Sequence, residues 1–272
     1  DTISAGDGND TLYGVGAGAG VDAVTDNLDG GLGNDTLYGN GSDFLSGGLG
    51  DDVYLLIGGQ NRVTDSAGFD VVKTESSFTF GYTADPAVSW GSGPIEVIEL
   101  TGSLNTFANG EAGANTLLGN SGANTLDGRG GNDILDGRDG DDVLKIGSDT
   151  GSVGGATNMT GGAGADTFWT GKGYRGDHSS GANQLQINDF TSGVDRIRFG
   201  IATTATAPTT LDTTAVYGGD TLAMVLDRAA SGSGSPTAPT ISQFVFGADT
   251  YLVLDLSTAT TFSTGDLAIK LT

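Results

Sequence analysis

Large apolar residues in this chain come singly, two places after an Asp or Asn. Leu12 follows Asp10, Leu37 follows Asp35, Leu45 follows Asp43 and Tyr54 follows Asp52. Further on, Asn115, Asn124, Asp133 and Asp142 stand nine residues apart, with Leu117, Leu126, Leu135 and Leu144 two places after them. One large apolar residue between polar neighbours makes a short strand, its side chain pointing in and its neighbours out. Ahead of these strands lie glycine turns such as Gly30-Gly31-Leu32-Gly33-Asn34-Asp35 and Gly47-Gly48-Leu49-Gly50-Asp51-Asp52. Turns of this kind need positive φ and close backbone approach, which glycine supplies at little cost. Turn plus strand is half a coil, so two nonapeptides, about eighteen residues, close one coil; coils then stack at about 4.8 Å. The fold class expected is all-β: a right-handed parallel β-roll or β-solenoid with two facing apolar ladders.

The phasing divides the chain. Residues 1–60 form a first repeat block, in which Asp26-Asn27-Leu28 fits and Gly14 to Gly20 reads as an insertion. Residues 61–110 lack clean nonapeptides but hold strand-like runs at Val71-Val72, Phe78-Thr79-Phe80 and Ile95 to Gly102. They read as a metal-poor solenoid connector, with a loop bulging from Asp85-Pro86 to Gly93-Pro94. Residues 111–170 form the second block. Residues 171–272 read as a C-terminal β cap: loops at 171–183, 201–215 and 229–240, a hairpin within Gln243 to Asp255, and a final run from Thr264 to Leu271. Such a cap covers strand edges that would otherwise invite aggregation. The chain opens in mid-repeat, which predicts further sequence upstream.

Composition sharpens this picture. Of 272 residues 49 are Gly and none is Cys; acidic residues outnumber basic ones 34 to 11, a formal charge of −23. Such a surface repels nucleic acid and anionic membranes and attracts cations. Apolar runs reach only about six residues, too short for membrane insertion by a helix. Residues 1–61 hold ten Asp and no Glu, Lys, Arg or His, which suits short-armed metal ligation in tight turns. Stacking would place Asp26 over Asp43 and Asp35 over Asp52. Two carboxylates about 5 Å apart repel by roughly 1 kcal/mol in water and about 3–4 kcal/mol at an effective dielectric of 20. Several Ca²⁺ ions between the turns would cancel that repulsion and turn binding energy into folding energy.

These units resemble the RTX nonapeptide, Gly-Gly-x-Gly-x-Asp-x-U-x with U large and apolar. The resemblance implies a calcium-loaded parallel β-roll in which Asp carboxylates and Gly carbonyls are the ligands. It transfers to Asp10, Asp26, Asp35, Asp43, Asp52, Asp133, Asp142 and Asp166, and to Gly31, Gly33, Gly48, Gly50, Gly131, Gly140, Gly162 and Gly164. Asn115 and Asn124 replace Asp, so the sites they share should be weaker or partly formed, with Asn124 still counted as a ligand. Arg129 and Arg138 replace the second Gly of their turns; a side chain pointing outward would leave the carbonyl free to ligate. The segment Ile187-Asn188-Asp189-Phe190-Thr191-Ser192-Gly193-Val194-Asp195-Arg196-Ile197 is similar to one that follows RTX blocks in serralysin-type proteases, and Asp189 and Asp195 flank a turn suited to one more calcium. The C-terminal stretch looks like that of RTX-type bacterial S-layer proteins, which carry an uncleaved type I secretion signal.

No catalytic constellation stands out. The single His178 lies in Asp177-His178-Ser179, and neighbours in sequence cannot converge as a triad. Zinc-protease His-Glu-x-x-His and Gly-x-Ser-x-Gly motifs are absent. Trp90 and Trp169 read as packing residues, or as a carbohydrate platform. The expectation is a non-enzymatic, calcium-dependent folding and surface-assembly module of a secreted or bacterial cell-surface protein, S-layer or adhesin-like. Its expected partners are calcium ions, the type I secretion machinery, and further copies of itself or a cell-surface polysaccharide. The alternative is the non-catalytic carrier module of a secreted protease, lipase or alginate epimerase.

Overall fold

A computed structural model of the chain describes residues 1–14, 24–80, 88–146, 157–170, 185–199, 211–213, 240–255 and 267–272. The expected loop at 171–183 with His178, all but 211–213 of the loop at 201–215, all but Thr240 of the loop at 229–240, residues 85–87 of the expected bulge and 15–20 of the Gly-Ala insertion lie outside these residues.

Each Asp-x-U run becomes a strand of three to six residues, and the strands alternate between two sheets. One, of eleven strands, runs Thr2–Asp7, Asn27–Leu32, Phe44–Leu49, Arg62–Thr64, Val88–Ser92, Ser77–Phe80, Phe107–Asn109, Thr125–Asp127, Val143–Ile146, Thr167–Thr170 and Arg196–Phe199. The other, of thirteen, begins Thr11–Tyr13, Thr36–Asn40, Val53–Ile57, Val71–Thr74, Val97–Leu100, Thr116–Leu118, Ile134–Asp136, Asn158–Thr160 and Leu185–Ile187. Pairing within these runs is parallel throughout, as a solenoid requires.

Register follows the repeat. Leu28 pairs with Leu45 and Leu45 with Val63 in one sheet; Leu37, Tyr54, Val72, Ile98, Leu117 and Leu135 stack in the other. All of them are buried, and they form the core between the sheets. Fully burying one such side chain contributes about 1.5–3 kcal/mol, so each half-coil rests on one main anchor.

Residues 61–110 continue both sheets, as expected, but the bulging loop is corrected. Val88–Ser92 is a strand, inserted between Arg62–Thr64 and Ser77–Phe80 and parallel to both. Gly91 makes room there: a Cβ at Gly91 would lie 2.8 Å from the Phe78 ring. The wide Phe78 side chain fills the core space that neighbouring coils fill with aliphatic residues.

The C-terminal cap changes strand direction. Leu267–Leu271 adds in parallel to Leu185–Ile187, and Asp249–Asp255 lies antiparallel to it. Thr240–Phe246 completes the expected hairpin, turning at Gly247 with φ +68°; Leu211–Thr213, expected as loop, is instead a strand that pairs with it in parallel. Among the described residues these strands extend the thirteen-stranded sheet, with Leu211–Thr213 outermost.

Candidate metal centres

The turns gather the acidic residues onto the two edges of the solenoid. On one edge the backbone N–H of Asp10 donates to Asp35 Oδ1 at 2.8 Å, Asp35 to Asp52 Oδ1 at 2.7 Å, Asp52 to Asp70 Oδ1 at 2.7 Å, and Asp70 to Glu96 Oε2 at 2.8 Å. Asn115 donates to Asp133 Oδ1 at 3.0 Å further along. On the other edge Asp26 donates to Asp43, and Asn124 to Asp142, Asp142 to Asp166 and Asp166 to Asp195. The stacking of Asp26 with Asp43 and of Asp35 with Asp52 is the one the repeat predicts. Coils of 17 or 18 residues separate most partners, and 24 to 29 residues where an insertion intervenes.

Several ladder carboxylates thus have one oxygen bare, although Asp43 and Asp195 use both. Oδ2 of Asp10, Asp35, Asp52, Asp70, Asp142 and Asp166 is buried and accepts no hydrogen bond. An orphaned charged oxygen is expensive unless a cation meets it. Burial pushes the Asp70, Asp133 and Asp142 carboxyls up from 3.8 to about 7. Burial, and after it the charges of Asp65 and Asp35, pushes Asp52 up to about 6. Only oxygen donors are present, which suits a hard cation.

The glycines supply the rest of each turn. Gly31, Gly33, Gly48, Gly50, Gly131, Gly140, Gly162 and Gly164 all have positive φ. At Gly48 a Cβ would lie 2.1 Å from the Gly31 carbonyl oxygen, and at Gly50 2.1 Å from that of Gly33. Turn carbonyls therefore point along the edge from coil to coil, where a cation between turns would meet them. Arg129 and Arg138 hold the same left-handed conformation, with φ 60° and 70°. Asp127 and Asp136 accept their N–H groups at 3.0 Å, and the Arg138 guanidinium reaches outward to Glu99 at 2.7 Å. The Arg138 carbonyl faces Gly162, keeping the direction a glycine would give it.

The asparagines behave differently. Asn124 Oδ1 accepts from Asn120 N–H at 2.7 Å, while its amide nitrogen donates to the Leu104 and Thr106 carbonyls at 3.4 Å. Asn115 likewise accepts from Glu111 at 2.8 Å and donates to Ile95 at 2.9 Å. In these turns an amide N–H meets carbonyls of the preceding coil, where the Asp turns present a bare carboxylate oxygen. Asp189 accepts from both Gly161 and Gly162 N–H, and Asp195 joins the ladder at Asp166, so the two converge on the turn 161–166.

Sequence reasoning passed over Asp65, Asp70 and Glu96. Asp70 and Val72 stand 18 residues after Asp52 and Tyr54, a signal readable at the full-coil period. The segment counted as metal-poor thus begins with a carboxylate cluster, Asp52, Asp65 and Asp70.

The family profile of the RTX calcium-binding nonapeptide repeat matches the chain in four copies, over residues 1–16, 21–54, 109–144 and 153–174. These stretches are RTX calcium-binding nonapeptide repeats, and their Gly-Asp turns are calcium-binding turns. No curated protein matches it. RTX-repeat proteins are typically secreted, and no helix among the described residues is long and apolar enough to cross a membrane.

Proposed function

We propose that this chain is the calcium-dependent folding and surface-assembly module of a type I-secreted extracellular protein of the S-layer or adhesin kind. The observation that carries the folding half is the row of buried, unpartnered Asp Oδ2 atoms along the turn edges. Without a cation those charges oppose the stack; with millimolar external calcium, the range extracellular modules use, they hold it together. The assembly half is supported by apolar residues on the outside of the turns. Leu32 and Leu49 stand in register at 48% and 50% exposure, and Phe69 nearby is 57% exposed. Contiguous exposed apolar surface favours contact with another protein surface. The reading assigns no catalysis to this chain, since its carboxylates sit in glycine turns suited to ligation.

Far-ultraviolet circular dichroism of metal-free protein, titrated with calcium and in parallel with magnesium, tests the folding half. A cooperative rise of β signal with calcium alone is expected; a full β spectrum without metal, unchanged by calcium, removes the reading. Light scattering and electron microscopy above the folding midpoint test assembly, with ordered sheets or filaments expected. A monodisperse monomer at every calcium concentration would favour a passive carrier role.

A further inference from the structure

The turn that follows the first block breaks the repeat in one place. Ser46 pairs with Thr64 and Leu49 with Ala67, so Asp65 stands one coil beyond Gly47, at the position of the first turn glycine. That position faces the ladder carboxylate. A Cβ at Gly30 would lie 2.1 Å from Asp35 Oδ2, and one at Gly47 2.0 Å from Asp52 Oδ2. A side chain here is therefore directed into the space between carboxylates, and Asp65 is such a side chain.

Asp52, Asp65 and Asp70 each bring one carboxylate oxygen within 4.8 Å of the other two. Asp52 and Asp70 are 0% exposed, and Oδ2 of all three residues is buried without a hydrogen bond. The remaining oxygens are engaged: Asp52 Oδ1 by Asp35 N–H, Asp70 Oδ1 by Asp52 N–H, and Asp65 Oδ1 by the Tyr54 hydroxyl at 2.7 Å. Tyr54 is itself buried and accepts from Gly47 N–H at 2.8 Å, which fixes the phenol and through it Asp65. None of the ion pairs among the described residues reaches this cluster.

We propose that Asp52, Asp65 and Asp70, with Tyr54 positioning Asp65, form a three-carboxylate calcium site that ties the first repeat block to the segment after it. Two oxygens on one ion can be no further apart than twice the metal–oxygen distance. That limit is about 4.6–5.2 Å for calcium, so oxygens that all lie within 4.8 Å of one another can share one calcium ion. Asp65 and Asp70 lie beyond the last repeat matched in the first block, which ends at residue 54 and contains Asp52 and Tyr54. The site has one more carboxylate than a pair of stacked repeat turns, and higher ligand charge tightens calcium binding. The inference rests on the proposed function only for the identity of the ion.

The test is calcium binding by isothermal titration on the whole metal-free chain, compared with Asp65→Gly, which restores the repeat glycine. One site should weaken by about tenfold or more in Asp65→Gly, with the others unmoved and calcium-driven folding retained. Tyr54→Phe should weaken that same site by a smaller factor. If Asp65→Gly fails to fold in calcium, Asp65→Asn is read by the same isotherm, because it keeps the acceptor for Tyr54 and drops the charge. Superimposable isotherms for the parent and a folded Asp65 variant overturn the inference while leaving calcium-driven folding intact. A parent chain that folds without calcium and binds none overturns both.

Discussion

Replacing Gly48 by Ala tests whether the turns are held by contact between coils or only by their own conformation. At Gly48 φ is +114° and a Cβ would sit 2.1 Å from the Gly31 carbonyl oxygen; at Gly102 φ is +74° and a Cβ meets nothing within 4 Å. Gly102→Ala should therefore carry only the left-handed penalty, about 1–2 kcal/mol. Gly48→Ala carries at least that, and the Gly31 carbonyl must also withdraw by about 1 Å to reach an ordinary carbon–oxygen separation near 3.3 Å. Overpacking of this kind adds about 1–3 kcal/mol, for a total of about 2–5 kcal/mol. If two calcium ions accompany folding, the loss is spread over both, and the calcium midpoint rises by exp(ΔΔG/2RT). That gives about 2- to 5-fold for Gly102→Ala and about 5- to 70-fold for Gly48→Ala. The assay is the calcium midpoint of the far-ultraviolet circular dichroism signal for parent and both variants. Equal midpoints for the two would refute the stacked-carbonyl argument.

Two further outcomes follow from the carboxylate ladders. Asp70, Asp133 and Asp142 have folded values near 7, raised from 3.8 chiefly by burial, so the metal-free fold binds extra protons between those limits. Their contribution is complete below about pH 4 and is lost as pH rises through about 7. Metal-free protein should accordingly gain β signal on acidification from pH 7.5 to 4.5, while the calcium midpoint rises; a metal-free signal that grows with pH would contradict this. Asn124→Asp removes the amide that reaches Leu104 and Thr106 and adds a carboxylate beside Asp142. It should destabilise the metal-free state by about 1–3 kcal/mol and add a calcium site, countable by isothermal titration.

The nine-residue spacing made the ladders legible before any coordinates. The steps from Asp26 to Asp43 and from Asp35 to Asp52 needed only the period and the strand's alternation. The turn flanked by Asp189 and Asp195 was readable in the sequence, whereas its docking on Asp166 was not. Other features were hidden for physical reasons. Period along the chain says nothing of spatial order, so the insertion of Val88–Ser92 ahead of Ser77–Phe80 left no trace in the spacing. Asp65 left no signal in the spacing because its role depends on which way a glycine-position Cβ points. The asparagine turns were visible as departures. That their amides would reach the carbonyls of the coil before depended on side-chain geometry.

The hydrogen bonds of the ladders all run one way. The N–H of a ladder Asp or Asn donates to the carboxylate of the coil that follows it, while beside it the N–H groups of Phe69 and Ala165 donate back to Asp51 and Asp141 of the coil before. The stack therefore has a head and a tail, like a filament with unlike ends. At the C-terminal end Asp195 closes on itself: its N–H meets the Thr191 carbonyl and its Oδ2 takes the Thr191 N–H. That turn satisfies its own groups and presents a ready acceptor to Asp166. For the ladder carboxylates alone, a chain ordering from this end finds each next acceptor already in place.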